Sequence, residues 1–583
     1  MRRSLLLGLV ALAAPLLAQA PPQPRPPIPA APAPAFFNES IEVRIINVDV
    51  VVTGKDGRAV TGLTRDDFIL IENGAPKEIT NFTEVHGTAP VIAAPLPDAA
   101  VVPEPAPTTV RASEDFRPRL ITIFIDNSTL DPFNRNSLLP AMRRFLRQAV
   151  RSGDQVMVAT WAAGLQIVQP LTADRAAAEG AVAKLAGSPT LAAVPATDRQ
   201  AYRGAINGLI SAYESRTPPE QPPYTTGLGE ARSYAMRSSH EMRRKAEALK
   251  SVIAAMRGFN GRKTVVLVTE GFSSNPSEEA FAYLDAVKEH FAGAGGANPM
   301  GDAREYEDAG LVSRIGDAAN AAGVTLYPIN AAGKAADLDL HDASAATALT
   351  IRPMFITQTG TATLQGMANA TGGRATVGTS NWELALDRIA NDLTSFYSLG
   401  YRASPDRTDR LNRIEVKLAR RKDEVRARQA VIETTVSTEM ADAVAANLFY
   451  PVNKNDLAIA ISAGAPLSAM AADSVTVPLT VRIPTVGLTL TPDGSDLTGT
   501  FSIFAAFLRQ DGAVSRVDRQ QHQFRFPAES RTRRKEITVK LDVTADRRTD
   551  GISVGVLDDL SHATGFGAVK VPRPPAPAVA NRE

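Results

Sequence analysis

The apolar run "LITIFID", residues 120–126, ends in a carboxylate, Asp126. Asn127, Ser128, Thr129, Leu130 and a second carboxylate, Asp131, follow it. A later run, "KTVVLVTEGFS" at 263–273, repeats the design and ends its apolar stretch in Glu270. Carboxylates at the carboxyl ends of strands of one sheet fall on a single edge, and Ser128 adds a hydroxyl there. Mg²⁺ or another hard divalent cation takes oxygen ligands in near-octahedral array. Asp126, Ser128 and Glu270 are therefore the candidate metal ligands. The plain alternative is a polar turn at the end of a buried strand, with Asp131 capping the helix that follows.

Other chemistries find less support. The chain has no cysteine, which excludes disulfides, zinc thiolate sites and thiol nucleophiles. The histidines, at 86, 240, 290, 341, 522 and 562, show no metal-ligand spacing. No Gly-x-Ser-x-Gly elbow is present. "FAGAGGAN" at 291–298 lacks Gly-Lys-Ser/Thr and follows a helical pattern, so it is expected as a loop, not a phosphate cradle. "DLDLHDAS" at 337–344 is either a second acidic ligand surface or a solvated loop.

The elements that position these residues follow from patterning. With 583 residues there is room for several domains. Lys plus Arg number 63 against 62 Asp plus Glu, so no bulk charge draws the chain to nucleic acid. Arg2 and Arg3, the apolar stretch Leu5 to Leu17, and Ala18 and Ala20 make a secretory leader with cleavage expected near Ala20. The expected location is secreted or periplasmic, with no transmembrane segment. Residues 21–37 form a Pro/Ala tether, and 38–86 alternate with period two as a small β unit with an Asn73-Gly74 turn. Residues 87–117 are expected as a Pro/Ala linker. From 118 to 396 strand and helix patterns alternate, which predicts a doubly wound, mostly parallel sheet. Strands at 397–435 are expected to complete a β-sandwich with 38–86, into which the α/β domain is inserted. A second sandwich at 440–572 and a Pro-rich tail at 573–583 close the chain.

In this setting the strand-end residues resemble those of a von Willebrand factor type A domain. "LVTEGFS" is similar to the family's apolar-Thr-Asp-Gly segment, and "GMANATGGRAT" to its late helix and turn. "VDVVVTGKDGRAVTGLTRDDFILIENGAPKEITNF" and "FYSLGYRASPDRTDRLNRIEVKLARRKDEVRAR" resemble the flanks of a bacterial von Willebrand factor A-related subgroup. The resemblance covers about 38 to 435. It implies a divalent cation held by Asp-x-Ser-x-Ser, a threonine from a second loop and an Asp after a later strand. One coordination position is left for a partner's carboxylate. Asp126 and Ser128 match. Leu130 stands in place of the second serine, Glu270 in place of the Asp, and Thr190 and Thr197 are both open for the threonine. The implied function is an exported, non-enzymatic, adhesion-like module with a degenerate metal site and a protein or peptide ligand. A hydrolase using strand-end carboxylates and a metal-independent envelope scaffold are the alternatives.

Overall fold

The computed structural model describes residues 45–86, 89–92, 118–188, 191, 193–259, 261–332, 354–403, 409–449, 455–468, 474–510, 514–530 and 535–571. The expected leader, tether, tail, "DLDLHDAS" and Thr190 lie outside them.

The first strands are β1 Ile45–Thr53, β2 Phe68–Glu72, β3 Ala75–Lys77, β4 Asn81–His86 and β5 Ala89–Ile92. Asn73 and Gly74 turn the β2–β3 hairpin with φ of 50° and 84°, a left-handed pair that Asn-Gly adopts at least cost. β5 pairs with β4, so the stretch expected as linker contributes a strand.

The α/β domain follows with β6 Leu120–Asp126, α1 Pro132–Ala149, β7 Gln155–Trp161, β8 Leu165–Thr172, α2 Arg175–Lys184, α3 Ala193–Glu214 and α4 Tyr224–Ala255. It continues with β9 Lys263–Thr269, α5 Glu278–Val287, α6 Pro299–Ala303, α7 Leu311–Ala322, β10 Val324–Asn330, α8 Met354–Thr371 and α9 Trp382–Thr394. Its sheet runs β10-β9-β6-β7-β8, parallel except for the antiparallel edge strand β8. The order in which successive strands are added reverses beside β6, β7 and β8 lying to one side and β9 and β10 to the other, which makes the β6–β9 boundary the switch point where such sheets take ligands.

β6 is buried along its whole length, as a central parallel strand must be. Ile121, Ile123 and Ile125 pack with α1, α2 and α9 on one face. Leu120 and Phe124 pack with α4 and α7 on the other. By this alternation Asp126 belongs to the α4 side.

The chain then returns to strands: β11 Ser395–Arg402, β12 Leu411–Leu418, β13 Glu424–Ala427 and β14 Ala430–Ile432. They pair with strands some 350 residues earlier, Val48 opposite Leu399 and Val416 opposite Leu70. Sheets β13-β1-β11-β4-β5 and β14-β12-β2-β3 share one core containing Val50, Phe68, Tyr397 and Tyr401.

Helix α10 Val436–Ala446, capped by the Thr435 side chain, precedes the remaining strands. These are β15 Ala460–Ala463, β16 Leu467–Ser468, β17 Ser474–Pro484, β18 Thr491–Asp493, β19 Asp496–Arg509, β20 Asp518–Pro527, β21 Glu536–Asp546, β22 Thr549–Asp558 and β23 Thr564–Lys570. They form two antiparallel sheets around a shared core.

Paired charges tie these regions to the α/β domain. Arg426 on β13 bonds both oxygens of Asp392 on α9 at 2.7 and 2.8 Å, and both residues are buried. Arg257, just past α4, does the same to Asp442 on α10 at 2.7 and 2.8 Å.

Candidate functional site

Asp126 ends β6 with no exposed surface. Its Oδ1 accepts from the Ser128 N–H at 3.1 Å and the Ser128 Oγ at 2.5 Å. Its Oδ2 accepts from Thr129 Oγ1 at 2.8 Å, Thr269 Oγ1 at 2.7 Å and Lys245 Nζ at 2.7 Å. A carboxylate offers about four lone-pair sites, and these five donors leave none open.

Lys245 is the residue that sequence reasoning missed. It is 2% exposed, a burial a lysine tolerates when its charge is paired. It also donates to the Gly271 carbonyl at 3.0 Å and lies 5.8 Å from the Phe272 ring centroid. The signal was in the helix pattern. Met242, Leu249, Val252 and Ile253 make the buried stripe of α4, and Lys245 falls between them at i+3 from Met242 and i−4 from Leu249. A lysine in the middle of an apolar stripe calls for a buried acid opposite. β6 supplies it.

Thr269 and Thr129 were also missed as partners of Asp126. Thr269 is the last residue of β9, adjacent to β6, so the parallel pairing alone brings its hydroxyl to the rim. Thr129 in turn accepts from the Glu270 N–H at 3.4 Å, linking the two loops. Gly271 sits so close to Thr129 that an added Cβ would lie 2.8 Å from its Cγ2.

Glu270 shares this rim, but its carboxyl is directed elsewhere. Oε1 accepts from the Asp131 N–H at 3.1 Å, and Asn134 supplies a further hydrogen bond. Burial lifts the Glu270 carboxyl to about 7, against the opposing effect of those two hydrogen bonds. Asp131 caps α1, its Oδ1 accepting from the Phe133 N–H at 2.7 Å. The second loop approaches through backbone: the Leu191 N–H donates to the Asn127 carbonyl at 2.9 Å. Arg135 of α1 holds the same loop through the Ala186 and Ser188 carbonyls at 3.0 and 2.8 Å. Thr197 is exposed on α3.

Of the three expected ligands, Asp126 and Ser128 are thus brought together, while Glu270 is bound into the α1 turn. Among the described residues no group of three or more His, Asp or Glu side chains is placed to hold a metal ion. An ammonium 2.7 Å from Asp126 Oδ2 neutralises the charge that would draw a cation. The residues present do not fit a divalent ion while Lys245 stays in place.

Beyond the rim stands a helical extension. The carboxyl-terminal half of α4 packs on the sheet, and its amino-terminal half joins α3, α5 and α6 around a separate core. Since α4 leads into β9, that half extends past the carboxyl ends of the strands. Tyr224 lies about 30 Å beyond Lys245 at helical rise. Arg199 bonds Glu279 at 2.8 Å, and Tyr234 bonds the same carboxylate. At the start of α1 the Phe133 side chain is 73% exposed, beside Asp131.

No family model and no curated protein matches the chain. Solved structures similar to it include proximal thread matrix protein 1 from the mussel byssus, at 13% identity over 49% of each chain with a TM-score of 0.20. The chain therefore spans about half the length of that protein. An aerotolerance-related membrane protein from Bacteroides fragilis is 14% identical, covering 47% of this chain and 98% of that one, with a TM-score of 0.20. A von Willebrand factor type A protein from Catenulispora acidiphila is 10% identical over 85% of this chain and 74% of that one, with a TM-score of 0.21. One of these similar structures is thus a von Willebrand factor type A protein, the family whose motifs the sequence resembles.

Proposed function

We propose that this is an exported, non-enzymatic protein-binding module that engages its ligand with the top face of the α/β domain. The 118–396 domain carries the contact, and the strands at 38–86 and 397–435, with the 440–572 region, hold it. The observation that carries this reading is Phe133, an aromatic ring left 73% exposed at the switch-point rim. Aromatic side chains are enriched at protein interfaces relative to the rest of the surface. Asp126 is unsuited to act as a strand-end base for hydrolysis, because donors already occupy both of its oxygens.

The test is a capture experiment with the exported fraction of the producing cells, using the full chain and its Phe133→Asp variant as baits. A specific protein should be retained by the first and lost by the second, with the variant still folded. Equal capture by both would sink the assignment of this face.

A further inference from the structure

We infer that Lys245 is a built-in replacement for a cation beside Asp126, and that this one side chain makes the switch-point carboxylate a metal-independent ion pair. The inference rests on the geometry around Asp126 and holds whether or not Phe133 anchors a partner.

The ammonium bonds two oxygens beside the carboxylate on which the neighbouring hydroxyls converge. Asp126 Oδ2 is 2.7 Å from Nζ, and the Gly271 carbonyl is 3.0 Å away. The Thr129 and Thr269 hydroxyls reach the same Oδ2 at 2.8 and 2.7 Å, and Ser128 bonds the other oxygen. A hydrated divalent ion of the magnesium or manganese kind asks for such a set: one carboxylate, neutral oxygens, and water for the rest. Here the charge the carboxylate requires is delivered covalently by α4. That helix is held by Met242, Ala246, Leu249 and Val252 in the sheet-facing core, which fixes the Lys245 backbone beside the carboxylate.

Removing the ammonium should therefore uncover a latent site. At the place of the ammonium its protein ligands would be Asp126 Oδ2 and the Gly271 carbonyl, with water completing the shell.

Manganese chloride titrated calorimetrically into the full chain tests this, with tryptophan fluorescence confirming the fold. The natural chain should give no saturable heat. Lys245→Ala should give saturable Mn²⁺ binding, and Lys245→Ala with Asp126→Asn should be silent again. If Lys245→Ala does not fold, Lys245→Gln decides on the same terms. Saturable binding by the natural chain that Asp126→Asn abolishes would overturn the inference, as would a folded Lys245 variant that stays silent.

Discussion

Substituting Lys245 by Met keeps the length of the side chain and deletes its charge, which strands the Asp126 carboxylate. The structure supplies the terms of the estimate. Asp126 has no exposed surface and Lys245 is 2% exposed, so water can stand in for neither partner. Removing one member of such a buried pair costs about 3–5 kcal/mol, since the remaining charge is left without compensation. The hydroxyls of Ser128, Thr129 and Thr269 remain on Asp126 and hold the cost toward the lower end. Asp126→Asn should cost a similar amount by isolating the ammonium. Lys245→Met with Asp126→Asn together should lie within about 2 kcal/mol of the natural chain, because neither charge is then buried. The assay is urea unfolding followed by tryptophan fluorescence. Both tryptophans of the chain, Trp161 and Trp382, lie in the α/β domain, so the signal reports that domain alone. Strictly additive losses in the double variant, or a loss below about 1 kcal/mol for Lys245→Met, would refute the pairing.

Further outcomes follow from other residues. Glu270 has its folded-state pKa raised from 4.5 to about 7, so the unfolded chain ionises first as pH rises. Stability of the α/β domain should fall between about pH 4.5 and 7, by up to roughly 3 kcal/mol, and then level off. Glu270→Gln should flatten that slope in urea midpoints measured across the window, and an unchanged slope would dismiss the assignment. Arg426→Met leaves the buried Asp392 without its two hydrogen bonds. It should lower stability by about 3–5 kcal/mol in the same unfolding assay, whereas a loss under about 1 kcal/mol would mean the pair contributes little. Phe133→Ser removes an exposed ring and should shift stability by no more than about 0.5 kcal/mol while abolishing partner capture.

Much of the α/β domain was legible in sequence because β6 and β9 are buried on both faces and end in polar residues. An apolar run of that length bounded by a carboxylate identifies both the strand and its carboxyl end. Asp126 could likewise be placed at the switch point from the alternation of strands and helices. The helical extension was less legible. Helix α3 and the start of α4 pack around Tyr202, Ile206, Tyr234 and Phe281, a core that draws on segments far apart in sequence. Helix α10 was missed because its short apolar face, Met440 and Val444, is completed only by Phe504 and Leu557. The ligand set suffered most. Motif spacing brings Glu270 to the rim, but the direction of its carboxyl depends on the Asp131 N–H, which no spacing encodes.

The two acidic groups of the rim are disarmed in different ways. Asp126 meets an ammonium, and burial makes Glu270 hold its proton up to about 7. Beside them, Asp131 is exposed. Under the proposed function, Asp126 and Glu270 then offer little electrostatic steering, and the exposed Phe133 ring supplies the contact. Long-range charge sets association rates and is screened by salt over about 10 Å at 0.1 M, whereas apolar burial is not. Capture that depends on Phe133 should therefore survive both a chelator and raised salt. A partner released by chelator from the natural chain would mean that a cation, not the aromatic ring, makes the contact.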